Sequence, residues 1–404
     1  MTITQSKPDA PGRSGHTPFI MNVDFFDQCA CAWERNEGLY GEERIRGLLE
    51  KCKDHGFSAV MWRTSVCGKV AYRSRVMTVF DGEYRISHNS LAAVLQKIDP
   101  LEVAVRHAHR LGLKIYAWVT LFDSYYPGLE DHFFARNPHL LMLSKDGKSS
   151  LRGIPCYACD ETRAYRWKEI EELSSYGVDG ILYSMNSHNI CTKAYGDLQE
   201  EGEFGFNPPI ADAFRSKYGK DIRKDDYRRP DLWEIHGEFL TTFLEQAKAR
   251  LTGNQGLYVS CGGAERDGAF YCGGVEDNEI YYWYGHSRGQ GLDPYPFWDQ
   301  VRIKMDLRKY ISSRIVDGVI LQIDDVQRLA AFRDMYGDQI QYLLWTQCFP
   351  HEEDERTPII KRQLQEASHI GIDGVLFHEA ITFEYGSGKL WQLLKQSTAG
   401  VERI

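Results

Sequence analysis

The sequence predicts an α/β fold, a (β/α)8 TIM barrel with long insertions in its βα loops, and three observations point there. One stretch recurs: GIDGVLFHEAITFE at 371–384, YGVDGILYSMNSHN at 176–189 and IVDGVILQIDD at 315–325 each set Asp-Gly before a short apolar run that ends in polar residues. Asp-Gly reads as the turn, and the run as a strand buried on both faces. Two looser relatives, HGFSAVMWR at 55–63 and LGLKIYAWVTLFD at 111–123, keep the glycine, the strand and the polar end. Runs of this kind alternate with amphipathic helical patterns, as a closed parallel barrel requires. With 404 residues, 43% of them hydrophobic, the chain can fill such a barrel as one unit.

In chain order, residues 1–16 read as a flexible polar tail and 17–404 as a single barrel domain with insertions near 64–99, 123–161, 185–230 and 262–295. Strand one falls at 18–24, followed by a loop carrying Phe25, Phe26, Cys29, Trp33 and Glu34. Residues 42–55 place Ile45, Leu48, Leu49 and Cys52 on one helical face and stop at Gly56. Strand two is 57–63. Asp99-Pro100 caps a helix at 101–111, before strand three at 113–119. The next insertion holds a hairpin turning at Asp146-Gly147. A helix at 162–176 leads to strand four at 179–184. In the third insertion Pro208 and Pro209 read as breakers of regular structure, ahead of a long helix at 231–251. Strand five is 256–261, helix five 297–312, strand six 318–323, helix six 327–336, strand seven 339–344, helix seven 358–369 and strand eight 375–377. A short helix near 390–396 closes the chain.

Composition narrows the function. The net charge of −9 comes without a basic stripe, so nucleic acid is not an expected partner. No apolar run is long enough for a membrane span or the core of a signal peptide, which makes the cytoplasm the expected location and a membrane an unexpected partner. The ten cysteines are irregularly spaced and read as thiols. Cys156 and Cys159 form a CxxC that suits a redox pair or half a zinc site. No second CxxC or spaced His pair completes that site, so no metal and no cofactor are expected. The 23 Tyr, 19 Phe and 9 Trp crowd the strand ends, where flat faces with polar rims suit sugar rings.

Barrel enzymes keep their chemistry at the carboxyl ends of the strands. The residues expected there are Asp24, Arg63, Asp123, Asn186, His188, Asn189, Asp324, Gln347, His378 and Glu379, ringed by Trp62, Trp118, Tyr183 and Trp345. Glycosidic cleavage needs one carboxylic acid to protonate the leaving oxygen and a second carboxylate as nucleophile or base. Asp324 and Glu379 are the expected pair, in either order, and the other twelve are expected to bind a carbohydrate substrate. A barrel that binds sugar without cutting it is the second reading. A lyase or metal-assisted enzyme using His188, His378 and a carboxylate is the third, and no HxH or HExxH spacing supports it. A homo-oligomer is left open.

The DG strands, VMWR, YAWVTLF, FGFN and Gln322-Ile323-Asp324 together resemble the glycoside hydrolase family 10-like barrel proteins over roughly 19–396. That resemblance implies a TIM-type barrel acting on a polysaccharide or glycoside. The chain departs from such relatives after strand four, where Ser184-Met185-Asn186 replaces their acidic pair. It also has Thr346-Gln347 where the large retaining glycosidase clan ends strand seven in Glu.

Overall fold

In the computed structural model, which describes residues 17–82, 89–124, 129–185, 203–261, 265–266, 269–272, 303–321, 325–348 and 353–399, eight parallel strands close into a barrel. They are β1 Phe19–Val23, β2 Phe57–Arg63, β3 Lys114–Thr120, β4 Gly180–Ser184, β5 Gly256–Cys261, β6 Gly318–Leu321, β7 Gln341–Gln347 and β8 Gly374–His378. Each pairs with the next in sequence, and β8 returns to β1 through Phe19↔Val375 and Asn22↔His378. This is the (β/α)8 architecture expected from the sequence.

The strands read as unbroken apolar runs because both of their faces are covered. Inward side chains, among them Ile20, Met61, Tyr116, Leu182, Tyr258, Ile320, Leu343 and Leu376, form a core inside the barrel. Outward neighbours such as Phe57, Val60, Ile115, Val319 and Phe377 join a larger core beneath the helices.

The recurring Asp-Gly does something other than turn the chain. In two copies the reversal is made just upstream, at Gly177 (φ 82°) and Gly371 (φ 74°), where a left-handed conformation suits glycine. The aspartate itself reaches sideways. Asp179 Oδ2 accepts from Ile115 N at 2.8 Å, Asp317 Oδ2 from Leu257 N at 2.6 Å, and Asp373 Oδ2 from Tyr342 N at 2.9 Å. Each even strand from β4 onward is thereby clamped at its start to the odd strand before it. Asp373→Ala should cost about 1.5–3 kcal/mol, the net worth of a hydrogen bond accepted by a charged group. Urea unfolding checks this, and a loss within error would mean the clamp is dispensable.

Several local expectations are corrected. The stretch after β1 is a helix, Phe25–Glu34, because Asp24 accepts from Phe26 N and Asp27 N and so caps it. Pro208 and Pro209 open the helix Pro208–Tyr218 rather than break structure, since the first helical turn has no intrahelical use for their missing N–H. Among the described residues of the span expected as helix five, Ile303–Met305 is a strand and Leu307–Ser312 is helical. That strand pairs with Ala269–Cys272 and lies against the helix Arg229–Lys248. Gly237 permits the approach, for a Cβ there would stand 1.8 Å from the Lys304 carbonyl oxygen. Strand seven runs on through Gln347, so Trp345, Thr346 and Gln347 are part of the sheet. The expected hairpin is present as Leu141–Leu143 against Ser150–Pro155.

Between sheet and helices lies a buried ion pair on the helix Asp160–Ser175, where Arg166 Nη1 stands 3.1 Å from Glu169 Oε2. Arg166 also donates to the Thr120 carbonyl at 2.7 Å, which fixes the end of β3. Burial outweighs the attraction of Arg166 and pushes the Glu169 carboxyl up to about 7.

Candidate active site

Side chains two residues apart on a strand share a face. Beyond the inner core residues Ile20, Met61, Tyr116, Leu343 and Leu376, the same face therefore presents Asn22, Arg63, Trp118, Trp345 and His378 toward the carboxyl end. Backbone register sets them side by side: Asn22 pairs with His378, Arg63 with Trp118, and Gln347 with His378. A layer that is mostly apolar lower down gains amide, cationic and imidazole groups at the mouth.

Arg63 organises one side. Its guanidinium donates to Asp24 Oδ2, stands 3.6 Å from Asp123 Oδ2, and lies 5.2 Å from the centre of the Trp118 ring. Burial would strip its proton, but Asp24, Cys67 and Asp123 outweigh that and keep it charged. Asp24 thus serves twice, as helix cap and as partner of Arg63.

Glu379 stands on the other side, joined to His378 through a cis peptide bond. It occupies the cap position of the helix Ala380–Tyr385 without making a side-chain cap bond, so capping does not account for it. Its Oε1 is 3.3 Å from His378 Nε2, while its Oε2 is buried with no hydrogen-bond partner among the described residues. The His378 ring lies 4.5 Å from the Trp345 ring and 6.0 Å from that of Trp118. Trp345 is itself oriented, since its Nε1 donates to Gln347 Oε1 at 2.8 Å. Burial, then the neighbouring Asp24 and Asp27, drive the Glu379 carboxyl well above the ordinary range, and Arg63 offsets only part of this. Asp27 is pushed up to about 7 by burial and by Asp24. Both carboxyls are therefore held toward the protonated form by their surroundings, the direction in which a general acid is tuned.

One oxygen each of Asp24, Asp27 and Glu379 lie within 4.8 Å of one another, close enough to share a cation. Arg63 supplies positive charge beside them and lowers Asp27 and Glu379 in part.

The structure brings together Asp24, Arg63, Trp118, Asp123, Trp345, Gln347, His378 and Glu379 from the expected set. Trp62 and Tyr183 were expected at the mouth and lie elsewhere. Both belong to the core beneath the helices, Trp62 stacked on Phe25 at 5.1 Å and Tyr183 tilted against Phe243 at 5.6 Å. Strand alternation is the reason: each is one residue out of phase with an inward neighbour, Met61 or Leu182. Asp324, Asn186, His188 and Asn189 lie outside the described residues.

Two residues at the site were not foreseen. Asn22 is fully buried, and neither its Oδ1 nor its Nδ2 has a hydrogen-bond partner among the described residues. Its signal was a lone amide in the run FIMNV. Asp27 lies on the helix Phe25–Glu34, a stretch whose sequence suggests a loop. Trp118 Nε1 is likewise buried without a hydrogen-bond partner among the described residues. Leaving such groups unmatched is costly, and a ligand or water at the mouth would relieve all three.

A closed parallel barrel with polar and aromatic groups massed at its carboxyl end defines the class: a (β/α)8 barrel. No protein-family model and no curated protein matches the sequence. Among solved structures, the chain is similar to an alpha-L-fucosidase isoenzyme 2 from Paenibacillus thiaminolyticus, at TM-score 0.56 and 10% identity over 96% of this chain. It spans about half the length of that fucosidase, 49%. It is also similar to the PgaB (BpsB) glycoside hydrolase domain from Bordetella bronchiseptica, at TM-score 0.56 and 14% identity, covering 94% of this chain and 98% of that one. The catalytic domain of a beta-amylase from Paenibacillus polymyxa follows at TM-score 0.52 and 9% identity, covering 95% and 99%. At such identities the likeness speaks for the fold. Among the described residues no helix is long and apolar enough to cross a membrane.

Proposed function

We propose that this protein is a glycoside hydrolase acting on a small or pre-cut saccharide, with Glu379 as the general acid and Asp324 as the second carboxylate. The observation that carries the reading is Glu379 itself, a buried carboxyl at a strand end, uncapped, with one oxygen unmatched and its proton held by the surroundings. A general acid must enter the reaction protonated and face the leaving oxygen, and desolvation beside other carboxylates is how proteins achieve the first. Trp118, Trp345 and His378 supply flat faces for a sugar ring, and Asn22 and Gln347 supply amides for its hydroxyls. The fucosidase, the glycoside hydrolase domain and the amylase noted above share the barrel on which this chemistry would stand. So does the family 10-like resemblance of the sequence. Asp27 is a second carboxylate already beside Glu379, with one oxygen of each within 4.8 Å.

A sugar-binding barrel without hydrolysis is the second reading, favoured by Ser184 at the end of β4 and Gln347 at the end of β7, where acids could have stood. The deciding experiment is a screen of aryl glycosides and oligosaccharides with the wild type, Glu379→Gln, Asp324→Asn and Asp27→Asn. Release of sugar by the wild type, lost in Glu379→Gln and in one of the two aspartate variants, supports hydrolysis and names the second carboxylate. Saccharide binding with no release supports the second reading.

A further inference from the structure

The CxxC noted in the sequence takes no part in the candidate site, and its geometry is specific. Cys159 N donates to Cys156 O at 3.1 Å, closing the four residues 156–159 into a turn. Such a turn holds its end Cα atoms under about 7 Å apart, which overlaps the roughly 4.4–6.8 Å window of disulfides. The two thiols are close enough to perturb each other's ionisation. Cys159 then starts the helix Asp160–Ser175, at its cap position and without a side-chain cap bond. Cys156 is fully buried and Cys159 slightly less so, at 7% exposed.

Their electrostatics differ in the same sense. The Cys156 thiol, and after it Arg163, draw the Cys159 thiol below its usual range against the effect of burial. Burial pushes the Cys156 thiol up, as it does those of Cys29 and Cys52, and these two sit on separate helices. Nucleophilic attack on a disulfide requires a thiolate, and a low-lying thiol backed by a resolving one is the arrangement of a redox pair.

We propose that Cys156 and Cys159 form a reversible disulfide by exchange with a low-molecular-mass disulfide such as glutathione disulfide. The Cys159 thiolate attacks one glutathione sulfur; the glutathione S–S bond breaks, and the first glutathione leaves as thiolate. Cys156 then loses its proton and attacks the Cys159 sulfur of the mixed disulfide, expelling the second glutathione as a thiolate that takes up that proton. Two protein thiols are oxidised by two electrons while one glutathione disulfide is reduced to two thiols. Between the cysteines, Tyr157 donates to the Leu121 carbonyl at 2.9 Å and packs on Phe243 at 4.6 Å, which anchors the turn to the exit of β3.

The test uses the reduced, folded full chain, incubated with glutathione disulfide, quenched in acid, alkylated and mapped by peptide mass spectrometry. The expected result is a 156–159 peptide two hydrogens lighter, refractory to alkylation and restored by dithiothreitol, while Cys29, Cys52 and Cys348 stay reduced. Cys156→Ser should trap a stable glutathione adduct on Cys159. A wild-type pair that remains reduced overturns the proposal, and so does an adduct on Cys159 that never closes onto Cys156. If circular dichroism shows that Cys156→Ser has not folded, the wild-type map decides alone.

Discussion

Replacing Glu379 by Gln is expected to abolish turnover of any glycoside the wild type cleaves, while leaving saccharide affinity within about tenfold. The substitution keeps the shape of the side chain, its place after β8 and its contact distance to His378, and removes the transferable proton. A residue that acts only in the transition state shows in kcat, not in ground-state binding. Steady-state kinetics with calorimetric titration of the saccharide separates the two. Turnover at the wild-type rate in this variant would exclude Glu379 from the chemistry.

The same substitution carries a stability signature. The folded protein holds the Glu379 proton more tightly than the unfolded chain does, so this carboxyl favours folding at pH values below the ordinary glutamate range. That contribution is lost as pH rises from about 4.5 toward the raised folded value. Glu379→Gln, which cannot ionise, should match the wild type near pH 4 and become the more stable of the two at neutral and mildly alkaline pH. Thermal unfolding of both proteins across that range checks the divergence; parallel curves would mean that Glu379 titrates normally.

Arg63→Met should destabilise the fold by about 3–5 kcal/mol, the usual result of removing one member of a buried ion pair and leaving the other uncompensated. Here the bereft groups are Asp24, 2% exposed, and Asp123, 1% exposed, and Asp24 also caps the helix Phe25–Glu34. Methionine fills much of the stem volume, so the loss measures charge more than packing. Losing the cation should also lift Glu379 and Asp27 further, since Arg63 lowers both. Arg63→Lys should recover only part of the loss, because an ammonium cannot reproduce the guanidinium's fork between two carboxylates and its stacking on Trp118. Urea unfolding of the three proteins tests the order, and a cost under about 1 kcal/mol for Met would show the cluster to be solvated.

Much of this was legible in the sequence. The runs GVLFH, GILYS and FSAVMWR announced strands covered on both faces, and their polar ends announced which rim would carry the chemistry. His378 and Glu379 stood out because ionisable residues directly after a buried strand are hard to explain by packing. Phase was harder to read. Trp62 and Tyr183 looked like members of an aromatic ring, but in a run that is apolar on both faces nothing local says which neighbour points inward. Asp24 looked like substrate-binding carboxylate and is also a cap, since capping is set by the φ/ψ path of the next turn. Asp-Gly looked like a turn, and only pairing of β3 with β4, β5 with β6 and β7 with β8 revealed three aspartates reaching across to a neighbouring backbone.

The order of residues by itself determined the barrel, because burial of both strand faces at regular intervals has few other solutions for a chain of this length. It also determined which ends of the strands would be polar. What only the tertiary structure decided is the company each charged group keeps. Arg63 meets Asp24 at a separation of 39 residues, and Glu379 meets Asp27 from opposite ends of the chain, because closing the barrel sets β8 beside β1. Desolvation and field act through space, so the proton on Glu379 is a property of that closure and not of the letters on either side of it.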